Sequence, residues 1–518
     1  MLSALASVLC AQRQDRQTEV SVPVQLRVSD QHIIGTPPAG FASFTLDFHP
    51  ASLGKVWGKN ASILEIDLHS PGLVGVARAL APAILRLGGS EAGQNLTYTG
   101  FPGDDTPCPI IRGAPYYYCL SRERWDEILE FANATGSRLM LDLNIIGPGN
   151  SSDFDATLAQ IDALFAHTCR TARRADAGGG LWAFELGNEN QGMISPEVAA
   201  KRVQAVAKSL ARHWPSRATR PLLVGPSPHI SPDWIVDFLA ALHSLDAPSA
   251  EHSLDVFAYH MYSGYGKAPG IAEQIPTPGF LDDARDLVDL ATGLLRSSAL
   301  AATPIMVSET AAAWSSGGPT GACLAFASSF WYFDHLATAA SSFGGGHLAV
   351  ARQTLVGGNY SLVDSNDGFR ANPDFFVALL WRQVVEGGGG RGARVLRSEP
   401  RKAVVSQNVH REIRCFSACD ASGRLIVGVA NLGGRAASVE IQNLGFSSAA
   451  VREQWVLEAA ESDLLTRKAK LNGLPLESVG GIVPPLPPVA GNATELFLAP
   501  PQSVAFLRYE FFPLVCKD

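Results

Sequence analysis

Two glutamates each close a short apolar run of the kind that forms a buried parallel strand. Glu189 ends the run from Trp182, and Glu309 ends the run from Ile305. Hydrolysis of a glycosidic bond commonly needs one carboxyl group that protonates the leaving oxygen and a second that attacks the sugar or activates water. Two carboxylates carried to one rim of a parallel barrel meet this requirement. Glu189 and Glu309 are therefore a candidate catalytic pair.

The elements that must position this pair form an alternating series between residues 40 and 386. Apolar strand-like runs alternate with helical segments, which is typical of a parallel barrel or a doubly wound sheet. The eight strand candidates are Phe44 to Phe48, Ile84 to Gly89, Arg138 to Asn144, Trp182 to Glu189, Leu222 to Gly225, Val256 to Tyr262, Ile305 to Glu309 and His347 to Gln353. Eight units predict an α/β fold with a closed (β/α)8 TIM barrel over residues 40–386.

The regions on either side of this barrel show a different pattern. Past a glycine run, alternating segments such as Arg424 to Ala430 occur without long helices. They predict a C-terminal antiparallel β-sandwich domain over residues 387–518. Residues 18–39 also alternate, and we expect this segment to add a strand to the sandwich. Residues 1–17 resemble a short signal peptide, although they lack a positively charged start.

The composition of the 518 residues limits the classes of function. Hydrophobic residues make up 46% and charged residues 17%, which predicts a folded globular protein. A net charge of −8 argues against nucleic acid as the main partner, and no apolar run reaches the roughly 20 residues of a transmembrane segment. No Cys or His spacing indicates a metal site, and we expect no cofactor. We also expect a monomer.

Cysteines and glycosylation sequons bear on the compartment. One of the eight cysteines lies in the signal-like segment, and the remaining odd number implies at least one free thiol. A bridge between Cys108 and Cys119, and another between Cys419 and Cys516, are candidates, with buried thiols as the alternative. Sequons that fit a secreted, extracytoplasmic glycoprotein begin at Asn60, Asn95, Asn133, Asn150, Asn359 and Asn492.

Polar residues fall at the carboxyl ends of seven of the eight strand candidates, the end where barrel enzymes carry their active sites. They are Asp47, Arg86 with Ser90, Asn144, Asn188 with Glu189, His260 with Tyr262, Glu309 and Gln353. Glu185 shares parity with Glu189 but lies roughly 13 Å deeper along the strand, at about 3.3 Å per residue. A structural pairing of Glu185 with Arg86 is therefore favoured over a direct catalytic role.

Six segments together carry a resemblance to a known family. They are Leu85 to Ser90, Arg124 to Glu127, Glu185 to Glu189, Tyr259 to Tyr262, Ser308 to Thr310 and, with the highest specificity, Arg352 to Asp364. The set resembles glycoside hydrolase family 79, which contains heparanase and plant and algal β-glucuronidases. The resemblance implies that Glu309 is the nucleophile and Glu189 the general acid/base of a retaining mechanism. Glu189 should then start protonated while Glu309 is ionised, so their pKa values should differ.

The same resemblance implies roles around the bound sugar. Asn188 matches an asparagine that touches the sugar 2-hydroxyl, and Tyr262 matches a tyrosine near the nucleophile. Other positions around the sugar are matched by Asp47, Ser90 and Gln353. Backbone N–H groups of Gly357 and Gly358, with the Tyr360 hydroxyl, are expected to bind the carboxylate of glucuronic acid. A glycan on Asn359 would occupy this pocket, so that sequon is expected to be unused.

Three features depart from the mammalian members. Trp314 replaces the tyrosine after the nucleophile, Ser90 replaces a threonine, and the loop from Gly103 to Cys119 is too short for an excised linker. Strong basic clusters for heparan sulfate are also missing. We therefore expect a single-chain exo-β-glucuronidase acting on a glucuronic-acid-containing glycan or small glycoside, with Arg86, His260 and Trp314 in supporting positions. An endo-β-glucuronidase on an acidic polysaccharide, a hydrolase for another sugar and a non-catalytic glycan-binding barrel are the alternatives.

Overall fold

Eight parallel strands form a closed barrel in the computed structural model of the protein. In chain order they are Ala42–Asp47, Ile84–Gly88, Arg138–Leu143, Gly180–Leu186, Leu222–His229, Val256–Tyr265, Ile305–Trp314 and Val350–Arg352, numbered here as barrel strands 1 to 8. Strand 8 pairs with strand 1, which closes the barrel. The predicted (β/α)8 barrel is confirmed, and each of the eight strand candidates overlaps one barrel strand.

The structure describes residues 21–49, 57, 61–103, 107–111, 113–115, 118–147, 152–172, 174–176, 178–247, 252–342, 345–387, 392–401, 411–442 and 450–517. The signal-like segment at residues 1–17 and the sequons at Asn60 and Asn150 lie outside these ranges. Within them, no helix combines the length and apolar character that a membrane span requires.

Helices surround the barrel. The longer ones are Pro71–Leu80, Arg122–Thr135, Phe154–Thr171, Pro196–His213, Pro232–Asp246, Pro278–Arg296, Phe326–Ser341 and Pro373–Leu380, and two short ones are Ser90–Asn95 and Ile271–Gln274. Ser121 caps the helix Arg122–Thr135, because its hydroxyl accepts the Arg124 N–H at 3.2 Å. Gly136, at φ +76°, ends the same helix in the left-handed region.

An apolar layer closes the inside of the barrel beneath a polar layer. Successive side chains on a strand point to opposite faces, so residues two apart face the same way. Ile84 belongs to the interior apolar cluster, and Arg86 follows it on the same face. The same step leads from Met140 to Asp142, from Ala183 to Glu185 and from Ala258 to His260. The strands therefore deliver their polar side chains together at the carboxyl end of the barrel.

A second sheet of 11 strands follows the barrel. Its strands are Val22–Gly35, Arg394–Arg401, Ile413–Cys419, Leu425–Asn431, Ala437–Gln442, Val451–Ala459, Ala469–Leu471, Leu474–Leu476, Val489–Asn492, Phe497–Ala499 and Ser503–Tyr509. The N-terminal strand lies inside this sheet, antiparallel to Arg394–Arg401 and parallel to Ala437–Gln442. Among the described residues, the strand pairs of this sheet are antiparallel except for the one between the N-terminal strand and Ala437–Gln442.

The two domains share one apolar core. Trp381 packs against Phe416 with ring centroids 5.1 Å apart, and Phe333 meets Phe506 edge to face at 5.5 Å. All four rings belong to the large core cluster that surrounds the barrel. The sheet domain therefore supports the barrel as part of the same folded unit.

Two disulfides are present, as the sequence suggested. Cys108 is bonded to Cys119 and Cys419 to Cys516, while Cys169, Cys323 and Cys415 are free among the described residues. The second bond joins positions 97 residues apart, whereas the first joins positions 11 residues apart.

Removal of the longer-range bond should cost more stability, because it restores more conformational entropy to the unfolded chain. We expect Cys419→Ser with Cys516→Ser to lower the free energy of unfolding by roughly 4 to 5 kcal/mol, against about 3 kcal/mol for Cys108→Ser with Cys119→Ser. Urea unfolding followed by tryptophan fluorescence measures both. The reverse order would contradict the loop-entropy explanation.

Candidate active site

Arg86 lies at the centre of the polar layer and is fully buried. Its guanidinium donates to Glu185 at 2.6 Å and to Asn188 Oδ1 at 2.8 Å. It also donates to Glu309, and its Nη2 lies 3.3 Å from His260 Nε2. The guanidinium is planar and carries five donors in a fixed arrangement, so one side chain aligns groups from the ends of strands 4, 6 and 7. The predicted pairing of Arg86 with Glu185 is present.

The two candidate catalytic glutamates reach the cavity through different backbone conformations. Glu189 lies beyond the end of strand 4 at φ +51°, in the left-handed region that costs a non-glycine residue about 1 to 3 kcal/mol. Glu309 lies within strand 7 just after a bulge, because Tyr259 pairs with Val307 while His260 pairs with Glu309. One carboxylate oxygen of each glutamate lies within 4.8 Å of the other. This spacing fits the roughly 5 to 5.5 Å of retaining glycosidases better than the 6.5 to 9.5 Å of inverting ones.

Both oxygens of the Glu309 carboxylate accept a hydrogen bond. The Tyr262 hydroxyl donates to Oε1 at 2.5 Å, and Arg86 donates to Oε2. Burial, together with the negative charge of Glu309, raises the pKa of Tyr262 well above its usual value, so the phenol keeps its proton and acts as a donor. These two donors fix the orientation of the carboxylate and stabilise its negative charge.

Glu189 is held by His260. The Nδ1 atom of His260 lies 3.2 Å from Glu189 Oε1. Arg86 can only donate, so Nε2 of His260 accepts and Nδ1 carries the proton that it donates to Glu189. Burial raises the pKa of Glu189, but the hydrogen bond from His260 and the electrostatic influence of His260, His229 and Arg86 outweigh burial and lower the pKa below its usual value. This direction is opposite to the one expected of a residue that starts protonated, as the resemblance implies for Glu189.

A cavity of about 300 Å³ opens between the glutamates. Nine of the predicted site residues line it: Asp47, Ser90, Asn188, Glu189, Tyr262, Glu309, Trp314, Gln353 and Tyr360. Arg86 and His260 do not line the cavity. They contact lining residues from behind, Arg86 through Asn188 and Glu309 and His260 through Glu189.

Six lining residues were not predicted as site residues. They are His49, Trp57, Gly89, Glu91, His229 and Ser315. His229 was missed because strand 5 was predicted to end at Gly225, whereas it continues through Pro226 to His229. The signal was available, since His229 ends a strand in the way that Asp47 does. Trp57 and Ser315 come from loops, which carry no periodic pattern.

Gly357 and Gly358, whose backbone was predicted to bind the sugar carboxylate, do not line this cavity. They line a neighbouring cavity of about 200 Å³, together with Asn359. A Cβ atom on Gly357 would lie 2.7 Å from Ala61 Cβ, and one on Gly358 would lie 3.0 Å from the Tyr360 ring. The glycines therefore allow the turn to pack closely behind Tyr360, and the structure does not place the Gly358 backbone beside the glutamates.

Asp47 has an unsatisfied oxygen in the cavity wall. Its Oδ2 accepts a hydrogen bond from Gln353 at 2.8 Å, while its buried Oδ1 has no hydrogen-bond partner in the described part of the chain. Burial and the negative charges of Glu309 and Glu91 raise the pKa of Asp47 well above its usual value. A buried polar atom without a partner is costly, so this position is suited to a hydroxyl group of a ligand.

A left-handed turn follows strand 7 at the edge of the cavity. Four successive residues have positive φ: Ser315 at 62°, Ser316 at 54°, Gly317 at 73° and Gly318 at 71°. Within the described ranges, no hydrogen bond is found for the N–H groups of Ser316 and Gly317. Successive free N–H groups in such turns form concave anion sites. A Cβ atom on Gly317 would lie 3.2 Å from the Tyr360 ring, so the turn and Tyr360 are neighbours.

A closed parallel barrel with two carboxylates beside a cavity at its carboxyl rim defines the class of protein: this is a glycoside hydrolase. The family profile described as "Glycosyl hydrolase family 79, N-terminal domain" matches residues 23–337. The chain belongs to this family.

Curated relatives cover nearly the full chain. The chain is 27% identical over 522 residues to heparanase-like protein 3 of Arabidopsis thaliana, covering 92% of this chain and 91% of that protein. It is 26% identical over 483 residues to baicalin-beta-D-glucuronidase of Scutellaria baicalensis, covering 87% and 85%.

Solved structures share the fold. The GH51 arabinofuranosidase of Xanthomonas axonopodis pv. citri superposes with a TM-score of 0.65 at 15% identity, covering 94% of this chain and all of that one. The 4-O-alpha-L-rhamnosyl-beta-D-glucuronidase of Fusarium oxysporum 12S gives 0.63 at 11% identity, covering 93% and 100%. These similarities confirm the architecture.

The contact between His260 and Glu189 predicts a change in pH dependence. In His260→Gln the amide reaches toward Arg86 in place of Nε2 but leaves Glu189 without its donor. The pKa of Glu189 should then rise, and the alkaline limb of kcat/KM should move to higher pH, because in a glycosidase with Glu189 as its general acid that limb reports loss of the Glu189 proton.

The matched control is His260→Asn, whose side chain replaces Nδ1 and keeps a donor toward Glu189. Its alkaline limb should stay close to that of the wild type. If the alkaline limb of kcat/KM has the same midpoint pH in His260→Gln and His260→Asn, this hydrogen bond does not set the pKa of Glu189.

Proposed function

We propose that the protein is a retaining exo-β-glucuronidase with Glu309 as nucleophile and Glu189 as general acid/base. The observation that carries this proposal is the approach of the two carboxylates to within 4.8 Å at the wall of one cavity. That distance leaves no room for a water between the sugar and the second carboxylate, so direct attack is favoured. The presence of both carboxylates argues against a non-catalytic glycan-binding barrel.

The reaction proceeds in two displacements. A Glu309 oxygen forms a bond to the anomeric carbon as the glycosidic bond breaks, and Glu189 gives its proton to the departing oxygen. Water then attacks the glycosyl-enzyme, Glu189 takes a proton from that water, and Glu309 leaves as a carboxylate with the β-configuration restored. Because the pKa of Glu189 is low, its protonated fraction grows as the pH falls, which favours mildly acidic conditions.

Selectivity for a glucuronide is assigned to the left-handed turn and Tyr360. The free N–H groups of Ser316 and Gly317 suit a carboxylate, and burial raises the pKa of Tyr360 so that its hydroxyl remains a donor. This assignment replaces the Gly358 backbone with a turn whose first residue, Ser315, lines the cavity. The name of the baicalin-beta-D-glucuronidase relative supports the same sugar.

Removal of single terminal residues is favoured over internal cleavage. A volume of about 300 Å³ lies at the small end of ligand pockets, which suits one sugar unit better than several. Two disulfides favour an extracytoplasmic location, and the exposed Asn133 is a candidate glycan site there.

Incubation with 4-nitrophenyl β-glucuronide tests the reaction. The wild type should release nitrophenol and only monosaccharide from longer glucuronides. Glu309→Ala should lose at least about a thousandfold in kcat, since it loses the nucleophile. Added azide should restore turnover and give the α-glucuronyl azide by attack from the vacated side.

Glu453→Ala is a control that removes a carboxylate from the sheet domain, and its turnover should equal that of the wild type. Absence of glucuronide turnover by the wild type, or unchanged turnover in Glu309→Ala, would refute the proposal. Release of oligosaccharides from a long glucuronide would support internal cleavage instead.

Tyr360→Phe tests the choice of sugar. Loss of the hydroxyl should lower kcat/KM for the aryl β-glucuronide about 10-fold to 100-fold, the range of a hydrogen bond to a charged group, while the matching β-glucoside is little affected. An equal loss on both substrates would indicate that Tyr360 only supports the cavity wall.

A further inference from the structure

An exposed pair of stacked aromatic rings stands beside the cavity. Tyr265 and Trp314 are the last residues of barrel strands 6 and 7, and they pair in register. Their ring centroids are 4.3 Å apart with an interplanar angle of 29°. The backbone is fixed there as well, because the Gly266 N–H donates to the Trp314 carbonyl at 3.1 Å.

Both rings remain open to solvent despite their contact with each other. Trp314 is 48% exposed and Tyr265 is 40% exposed. Tyr265 covers part of one side of the indole, and Trp314 itself belongs to the cavity lining. Large exposed apolar surface held rigidly beside a cavity is typical of a ligand-binding surface.

The cavity has a closed end and an open end. Asp47, Gln353 and Tyr360 are at most 5% exposed and form the closed end, whereas Trp314 and the Glu189 side chain, 29% exposed, mark the opening. A terminal sugar fills the closed end, and its leaving group must pass the acid/base on the way out. Trp314 therefore lies on the side of the leaving group.

We propose that Trp314, supported by Tyr265, is a stacking platform for a planar aromatic aglycone, and that aryl β-glucuronides are the preferred substrate class. This inference rests on the proposed glucuronidase function and adds the identity of the leaving group. Aromatic groups that stack face to face in an offset manner gain more than their buried area alone provides.

The charges around the cavity support an uncharged aglycone. No Lys or Arg is found among the described residues that line the cavity, whereas Glu91 and Glu189 are. An anionic polysaccharide on the leaving-group side would meet no Lys or Arg side chain in this described lining and would face the carboxylates of Glu91 and Glu189. A planar aromatic group avoids this cost and uses the surface that is present.

The chemistry of the leaving group agrees with this choice. A phenol such as that of tyrosine has a pKa of about 10, and an aliphatic hydroxyl is a much weaker acid. A phenolic leaving group therefore depends less on protonation as it departs. The low pKa of Glu189 reduces its protonated fraction near neutrality, which an aryl substrate tolerates better than an alkyl one.

The test compares phenyl β-glucuronide with methyl β-glucuronide in the wild type, Trp314→Ala and Trp314→Phe. Trp314→Ala should lower kcat/KM for the phenyl substrate about five- to tenfold, mostly through KM, and change the value for the methyl substrate less than twofold. Trp314→Phe should recover most of the loss because it retains a ring. Phe512→Ala, which removes an exposed ring of the sheet domain, should change neither value.

Calorimetry on Glu309→Gln separates binding from turnover. The added Trp314→Ala substitution should weaken binding of phenyl β-glucuronide and leave methyl β-glucuronide unaffected. Equal losses for both ligands, in kinetics or in binding, would overturn the platform and leave the glucuronidase proposal standing. A wild type that turns over neither glucuronide but cleaves another aryl glycoside would overturn the glucuronidase proposal instead.

Discussion

The site depends on one buried cation. The Arg86 guanidinium holds Glu185 and Glu309 by hydrogen bonds and lies 3.8 Å from Asp142, and all of these groups are shielded from water. Removal of one partner from a buried ionic cluster typically costs about 3 to 5 kcal/mol, because a charge is left uncompensated. Burial and the neighbouring negative charge of Glu185 raise the pKa of Asp142 well above its usual value, so one cation need not balance every carboxyl group. Arg86 is thus both a folding constraint and the group that aligns Glu309.

The polar layer is stable only because an apolar layer lies beneath it. Interior residues such as Met140, Ala183 and Met306 fill the lower barrel and exclude water from the cluster. In that environment a hydrogen bond to a charged group is stronger than in water, while an unpaired polar group is more costly. The contacts of Tyr262 with Glu309 and of His260 with Glu189 gain strength from the same exclusion.

Several groups at the cavity are held in states that folding alone would not favour. Glu189 adopts a left-handed backbone, Asp47 leaves one oxygen without a partner, and the turn after strand 7 leaves two N–H groups free. Such features persist where a rigid framework imposes them and a ligand completes them. They lie at or beside one cavity, and polar groups of a ligand would supply the missing hydrogen bonds.

The barrel could be predicted from the amino-acid sequence, because eight apolar runs separated by helical segments leave few other topologies. Alternation along those strands also indicated which polar residues share the carboxyl rim, including Asp47, Arg86, Glu309 and Gln353. Features that depend on loops and on distances between strands became visible only in the folded structure. It placed Gly358 behind the wall, added His229 and the turn at Ser315 to Gly318, and lowered the pKa of Glu189. The conformation of loops and the pKa values of buried groups depend on contacts between residues that are far apart in the chain. A local sequence pattern therefore does not predict them.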